Sequence, residues 1–155
     1  MGIDNGISGA FAVLNEHGDL MCWAPLPIQK SRKGNEINVL ELRSLLEPFK
    51  GATVIVEEPG GSKSARAASS MAGSFHAIRA MLDLMNFRYH RVTPQSWQKV
   101  ILKCKAGDTK PAAERLARKL WPEEKWLRTA RCSTPHDGGI DAALLAHHLR
   151  VNLFT

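Results

Sequence analysis

The sequence predicts an α/β fold in which a mixed sheet of about five strands is flanked by helices. Two observations lead to this prediction. The first 25 residues contain three short apolar segments separated by turn residues, as in strands joined by hairpins. Further along the chain, β-branched segments alternate with segments whose apolar residues recur at helical spacing. Early hairpin strands followed by such alternation describe a mixed sheet with helices packed on it.

The N-terminal third accounts for four of the predicted strands and one helix. We expect strands at residues 1–7, 10–15 and 20–25, with a turn at residues 15–18 between the second and third. Residues 26–36 are polar and basic, and we interpret them as a loop. A helix that stops near Pro48 then precedes a short apolar strand at residues 53–57, which is typical of a strand buried on both faces.

The remainder of the chain is predominantly helical. A long segment rich in Ala and Met predicts a helix, a short strand follows it, and Thr93-Pro94 opens another helix. The predicted elements are a helix at 65–85, a strand at 88–92, a helix from 93 through Trp97, a basic loop at 103–108, a helix at 109–120 and a final helix from about 137 to 153.

Composition favours one domain, residues 1–155, because 44% hydrophobic content can supply a real core. The chain lacks an apolar run of the roughly 20 residues that a membrane span needs, and its N-terminus lacks the pattern of a signal peptide. Cys22, Cys104 and Cys132 are odd in number and outside any CxxC pattern. We therefore expect a reduced protein in the cytoplasm, without a zinc site.

Positive charge is concentrated in the middle of the chain. Residues 60–131 hold 15 Lys/Arg against 5 Asp/Glu, whereas the rest holds 6 against 10. A basic surface attracts a polyanion such as nucleic acid by counterion release. The alternative is that the basic residues only solvate helix faces.

The acids outside that basic region follow a pattern of their own. Asp4 interrupts an apolar start, the Glu57/Glu58 pair ends the apolar strand, and Asp137 and Asp141 share one face of the last helix. Unpaired acids repel one another and are costly to bury, a conflict that a divalent metal resolves. Oxygen ligands suit Mg²⁺ or Mn²⁺. Taken singly, Asp4 could be a turn residue and Asp137 a first-turn acid that favours the helix dipole.

These motifs, in this order, resemble the RuvC family of Holliday-junction resolvases, within the RNase H-like superfamily. The resemblance rests on Gly2-Ile3-Asp4, on a strand that ends Val54-Ile55-Val56-Glu57, on His136-Asp137-Gly138 followed by Asp141-Ala142, and on Pro94-Gln95-Ser96-Trp97. It is nearest to compact bacteriophage and chloroplast members and spans residue 4 to about residue 148. It implies an RNase H-like fold and a metal-dependent endonuclease that resolves four-way junctions by paired symmetric nicks.

The resemblance also implies roles for individual residues. Asp4, Glu57, Asp137 and Asp141 match the family's acids and would hold two ions per site, while Lys110 matches a lysine that approaches the scissile phosphate. Glu58 ranks below Glu57 because neighbouring strand residues point to opposite faces, and His136 ranks below Asp137 as a ligand or proton shuttle. The basic residues expected to contact DNA are Lys63, Arg66, Lys99, Lys103, Lys105 and Lys110.

One departure from the family concerns substrate choice. Bacterial members place an aromatic residue three positions after the second acid, where it enters the junction, and this chain has Gly60. The loop at 60–66 is instead basic and rich in glycine, and it leads into a helix whose N-terminus can approach phosphate. This departure leaves strict junction specificity open and does not affect the metal chemistry.

The family further implies a homodimer, and the Ala/Met-rich face of residues 65–85 is the expected interface. A phage protein would act in the cytoplasm of its bacterial host. Three alternatives stay open. The protein could be a broader nuclease for flaps, forks and other branched DNA, or a non-catalytic relative that binds such DNA. The third is an actin-like or sugar-kinase-like phosphotransferase, which shares the Gly-Ile-Asp start but usually needs two domains and a second phosphate loop.

Overall fold

The computed structural model describes residues 1–32, 34–61, 64–104 and 107–153, without the side chain of Leu153. Two sheets and five α-helices are formed by these residues, together with a 3₁₀ turn at Glu47–Phe49. The strands are β1 (Gly2–Ile3), β2 (Ala10–Leu14), β3 (Leu20–Pro25), β4 (Ile28–Ser31), β5 (Gly34–Ile37), β6 (Val54–Glu57) and β7 (Tyr89–Val92). The helices are α1 (Val39–Leu46), α2 (Ala65–Leu84), α3 (Pro94–Ile101), α4 (Thr109–Leu120) and α5 (Asp137–Leu153).

The main sheet is mixed and has the strand order β3-β2-β1-β6-β7. Strands β1, β2 and β3 form an antiparallel meander, while β1, β6 and β7 are parallel to one another. The carboxyl ends of three strands therefore meet at one edge of the sheet, which is where ligand sites of such sheets commonly form. This is the five-stranded mixed sheet that the sequence predicted.

One element differs from the prediction. Residues 26–36 were expected to be a loop, but β4 and β5 pair as a separate antiparallel hairpin in which Ile28 lies opposite Ile37. Most side chains of this hairpin are exposed on both faces. Because Ile37 is buried but most of the other side chains are exposed, the sequence lacks the apolar alternation by which strands are recognised, and the prediction of a loop was wrong.

The helix boundaries follow local signals. Asn38 caps α1 by accepting the N–H of Glu41, so the helix begins at Val39. Ser64 caps α2 in the same way through the N–H of Ala67. Helix α3 opens with Pro94 at its first position and continues past the expected end at Trp97 to Ile101.

Two apolar layers cover the faces of the sheet. The first joins β1, β2 and β6 to α1 and α2, and the second joins the other face to α3, α4 and α5. Strand β6 contributes to both, since Val54 and Val56 face the first layer and Ile55 faces the second. This accounts for its uninterrupted apolar sequence. No described helix combines the length and the apolar character that crossing a membrane would require.

Helix α5 lies directly on the backbone of β1. A Cβ atom added to Gly2 would lie 2.1 Å from the carbonyl oxygen of Ala142 and 2.6 Å from the amide nitrogen of Ala146. Both atoms belong to the helix backbone, which cannot rotate away as a side chain can. The absence of a side chain at Gly2 therefore sets the distance between the strand and the helix.

We predict that Gly2→Ala lowers the free energy of unfolding by about 1–3 kcal/mol, because the added methyl group forces α5 away from the sheet. The matched control is Gly73→Ala in the exposed part of α2, where an added Cβ meets nothing within 4 Å. That change should be neutral or stabilise by about 0.5–1 kcal/mol, since Ala favours helix. Urea unfolding of the three proteins measures both effects. Equal stabilities of Gly2→Ala and wild type would contradict the close contact.

Candidate active site

Asp4 and Glu57 are brought together by strand register. Gly2 pairs with Ile55 and Ile3 pairs with Val56, so Asp4 lies beside Glu57 at the carboxyl ends of two neighbouring parallel strands. The amide of Asp4 donates to the carbonyl of Ala10 at 2.9 Å, which fixes the backbone where β1 turns towards β2. Both side chains are partly buried. Burial raises the pKa of both carboxyl groups. A hydrogen bond shared between them adds to the rise at Asp4, whereas at Glu57 this bond and one from Trp97 partly offset the effect of burial.

Helix α5 adds Asp141 to this pair. The helix can approach because Gly138, in its first turn, has no side chain: a Cβ there would lie 2.6 Å from the carbonyl oxygen of Ser8 and 2.9 Å from Oδ2 of Asp4. One turn further along, Asp141 is partly buried and flanked by apolar residues that offer no partner. Helix α5 and strands β1 and β6 thus place Asp141, Asp4 and Glu57 close together.

The pKa values of these acids reflect a shortage of positive charge. Burial, together with the charges of Glu57 and Asp137, raises the pKa of Asp141 to about 7, against the opposing effect of Lys110. The pKa of Asp4 lies well above its usual range, because burial and the charges of Glu57 and Asp141 all oppose ionisation. Among the described residues, no Lys or Arg forms an ion pair with Asp4, Glu57 or Asp141.

Asp137 and Lys110 form the exposed rim of the site. The Nζ atom of Lys110 donates to Oδ2 of Asp137 at 2.5 Å, and both side chains are mostly exposed. This contact and the charges of Asp137 and Asp141 raise the pKa of Lys110, so the ammonium group stays protonated. The first turn of α4 therefore presents one cation to the edge of the acidic group.

Glu57 has a second partner that the sequence did not reveal. The indole Nε1 of Trp97 donates to Oε1 of Glu57 at 2.6 Å, and Trp97 itself is fully buried. Its burial excludes stacking on DNA, and its hydrogen bond adds a polar role to the packing.

Two lower-ranked candidates have other partners. Glu58 extends away from Glu57 towards Arg91, whose Nε atom lies 3.6 Å from its carboxylate. His136 caps α5, because its Nδ1 accepts the N–H of Gly139 at 3.0 Å, and its ring lies against Trp23. An Nδ1 that accepts a hydrogen bond leaves the proton on Nε2, so the ring in this arrangement is a helix cap and not an open ligand.

The residues expected to contact DNA are exposed wherever the structure describes them. Arg66 lies in the first turn of α2, Lys99 in the last turn of α3 and Lys103 just beyond it, and all three are exposed, as is Lys110. Lys63 and Lys105 were also expected to contact DNA and lie outside the described residues. Trp23, Trp121 and Trp126 pack against one another near α5 and take no part in such a surface.

The arrangement contains hard oxygen donors without a completed cation site. Within residues 1–32, 34–61, 64–104 and 107–153, no three His, Cys, Asp or Glu side chains already stand in a geometry that could hold a metal ion. Asp4 and Glu57 instead share a hydrogen bond, by which two carboxyl groups without a counterion relieve their repulsion. These carboxylates lie close together at a free-energy cost, and little positive charge compensates them. Their oxygen atoms are suitable ligands for a divalent cation, which would supply that charge.

The fold and this site define a class: an RNase H-like fold with acids at the carboxyl ends of β1 and β6 and on α5. Two solved structures of RuvC from Thermus thermophilus are similar to the chain. The RuvC structure has a TM-score of 0.62 at 17% identity and covers 96% of this chain and 92% of its own. RuvC in complex with a Holliday junction substrate has a TM-score of 0.60 at 16% identity, covering 96% and 91%. No protein-family model and no curated protein matches the chain.

We predict that Asp141→Asn raises the melting temperature of the metal-free protein at pH 8 by a few degrees. The pKa of Asp141 in the folded state, about 7, exceeds its ordinary value of 3.8. The contribution of Asp141 to the free energy of unfolding is therefore fully present below about pH 4 and is lost as the pH rises through 7. The amide is neutral at every pH, so its advantage should shrink at pH 5.

Thermal scans in chelator at pH 5 and pH 8 measure this difference. Asp83→Asn, which removes an exposed acid on α2, is the control and should shift the melting temperature little at either pH. An Asp141→Asn variant that melts below wild type at both pH values would contradict the buried, uncompensated charge.

Proposed function

We propose that this protein is a metal-dependent endonuclease that cuts branched DNA, and that its substrate is the four-way junction. The observation that carries the proposal is the group of partly buried acids, Asp4, Glu57 and Asp141, at one edge of an RNase H-like sheet. The similar fold of a RuvC bound to a Holliday junction supports the choice of substrate. The excess of basic residues between positions 60 and 131 supports a polyanionic ligand.

Asp4, Glu57 and Asp141 would hold the divalent ions, with Asp137 at the exposed side. Their carboxylate oxygens are the donors that Mg²⁺ and Mn²⁺ prefer, and two ions per site would match the number of acids. When bound, the ions would supply activation of the attacking water and stabilisation of the departing 3′ oxygen. Burial between β1, β6 and α5 would keep these acids in place and limit competing water.

Lys110 would stabilise the charge that develops on the scissile phosphate. Its ammonium group is exposed, and Asp137 holds it beside the acids. An oriented cation next to the reacting phosphate lowers the barrier because it needs no reorganisation during the reaction. Arg66, Lys99 and Lys103 would contact backbone phosphates on either side, as proposed also for Lys63 and Lys105.

The protein would act as a homodimer, since two sites are needed to nick opposing strands of a junction. The expected interface on α2 is narrower than its sequence indicated, because Met81 and Met85 are buried in the protein's own core. The exposed part of the helix consists mainly of small residues, at Ala65, Ala67, Ser69, Ser70, Gly73 and Ala80. Small residues permit close approach of a second helix.

A broader activity on flaps and forks is the second candidate. The feature that favours it is Gly60, which is partly buried and from which a Cβ would meet Pro94, at 3.6 Å, and no other described residue within 4 Å. The position that carries an aromatic residue in bacterial family members thus presents no side chain to a junction here. Cleavage of a four-way junction, a flap and a linear duplex of matched sequence separates the two candidates. Paired symmetric nicks confined to the junction support the first, and equal cutting of the flap supports the second.

We expect Asp4→Asn and Asp141→Asn each to reduce junction cleavage in Mg²⁺ by at least about 10³-fold, because each removes a carboxylate that would hold a metal. Binding of the junction should persist, since positive residues elsewhere carry the affinity. Glu58→Gln is the matched control, because Glu58 faces Arg91, and should cut within about threefold of wild type.

Gel-based cleavage and binding assays on one labelled junction measure all of these effects. A wild-type protein that binds the junction in chelator and never cuts it, in Mg²⁺ or Mn²⁺, would make it a binding protein instead.

Lys110→Ala should slow cleavage at saturating junction by about 10²–10³-fold, the usual cost of removing one group that stabilises transition-state charge. Junction affinity should change little, because one exposed lysine contributes one phosphate contact among several. Lys119→Ala, which removes an exposed lysine from the last turn of the same helix, is the control and should cut at nearly the wild-type rate. Loss of affinity without loss of rate would reassign Lys110 to DNA binding alone.

A further inference from the structure

A short hydrogen bond connects the acidic group to the core of the protein. Glu57 lies beside Val92 in the β6–β7 pairing, and α3 begins two residues after Val92. This register places Trp97, on the first turns of α3, next to the Glu57 carboxylate, where its Nε1 donates at 2.6 Å. Trp97 is fully buried in the layer that also contains α5, so its ring cannot change position without disturbing the fold.

The chemistry of this contact is directional. An indole N–H is a donor only, so it can hold a carboxylate oxygen but cannot itself bind a cation or accept a proton. By occupying Oε1, it limits rotation of the Glu57 carboxylate and leaves Oε2 for another partner. A carboxylate that binds metal is usually oriented by such a donor, and loss of the donor commonly costs 10–100-fold in metal affinity or activity.

We propose that Trp97 is a positioning residue that pre-orients Glu57 for a divalent cation. The inference rests on the proposed function, because it assumes that Glu57 is a ligand. It assigns to Trp97 a role that neither packing nor nucleic-acid contact would require. Trp97 acts only through Glu57 and touches neither the metal nor the DNA.

The chain supplies matched controls for this role. Trp126 is also fully buried, lies in the same apolar layer, and its Nε1 has no hydrogen-bond partner among the described residues. Trp121 donates its Nε1 to the carbonyl oxygen of Gly18 at 3.0 Å, far along the chain from the acids. Replacing each with Phe removes the same atoms from the same layer, but only Trp97→Phe removes a donor to Glu57.

The test is to titrate Mn²⁺ into each variant and determine its Mn²⁺ affinity. Binding is measured by calorimetry or from the electron paramagnetic resonance signal of free Mn²⁺. We expect Trp97→Phe to weaken Mn²⁺ binding by about 10-fold. Trp126→Phe and Trp121→Phe should remain within about twofold of the Mn²⁺ affinity of wild type, although we expect all three variants to lose comparable thermal stability. In cleavage assays, Trp97→Phe should need more Mg²⁺ for half-maximal rate and recover most of the rate at saturating Mg²⁺.

A double-mutant cycle with Glu57→Gln identifies the route of the effect. If Trp97 acts through Glu57, Trp97→Phe should cause no further loss of Mn²⁺ affinity in the Glu57→Gln background. Equal Mn²⁺ affinities for Trp97→Phe and Trp126→Phe, with wild type binding normally, would overturn the positioning role and leave the proposed function intact. Failure of wild type itself to bind Mn²⁺ would overturn the proposed function.

Discussion

The close packing of α5 against the backbone of β1 is the constraint on which the rest of the structure depends. Gly2, the first residue of β1, permits the contact near the middle of α5, and Gly138 permits it again at the start of the helix, within reach of Asp4. Any side chain at either position would move the helix outward and carry Asp141 away from the two strand acids. The same contact closes the second apolar layer, so the site and the core are set by one packing arrangement.

The acids that this arrangement brings together lower the stability of the fold, although the proposed function needs them. Carboxyl groups that are drawn together and partly buried disfavour their own charged forms, and the raised pKa values of Asp4 and Asp141 express that cost. A helix with an apolar residue at position 141 could pack in the same way and would avoid the free-energy cost of burying a carboxyl group. Retaining the acids is reasonable where a divalent cation supplies the missing positive charge, which is why their placement carries the functional proposal.

The sequence predicted the sheet and the acids because both leave local signals. An uninterrupted apolar run identified β6, and the alternation of side chains along a strand led us to rank Glu57 above Glu58 as a ligand. In the structure Glu57 accepts a hydrogen bond from Trp97 and Glu58 lies near Arg91, and the choice of ligand stays a prediction. The β4–β5 hairpin was missed, since strands without a buried face lack a periodic signal. The Met residues of α2 could not be divided between core and surface from composition alone.

Features that depend on contacts between distant segments could not be predicted from the sequence. The hydrogen bond from Trp97 to Glu57 joins residues 40 positions apart and arises only once β6 and β7 pair in register. Gly2 appears in the sequence as one glycine among twelve, and its importance follows from a helix more than 130 residues away. Pro94 and Trp97 were visible as a motif, but their spacing alone could not distinguish packing from a polar role.

The most direct test of the central claim is anomalous diffraction from crystals of the wild-type protein soaked in Mn²⁺. The account predicts strong anomalous density between the carboxylates of Asp4, Glu57 and Asp141, with their oxygen atoms at about 2.0–2.2 Å from the ion, the range for hard divalent ions of this size. It also predicts that the shared hydrogen bond between Asp4 and Glu57 is lost when the ion binds. Anomalous density elsewhere, or none at these acids at Mn²⁺ concentrations that support activity, would contradict the account.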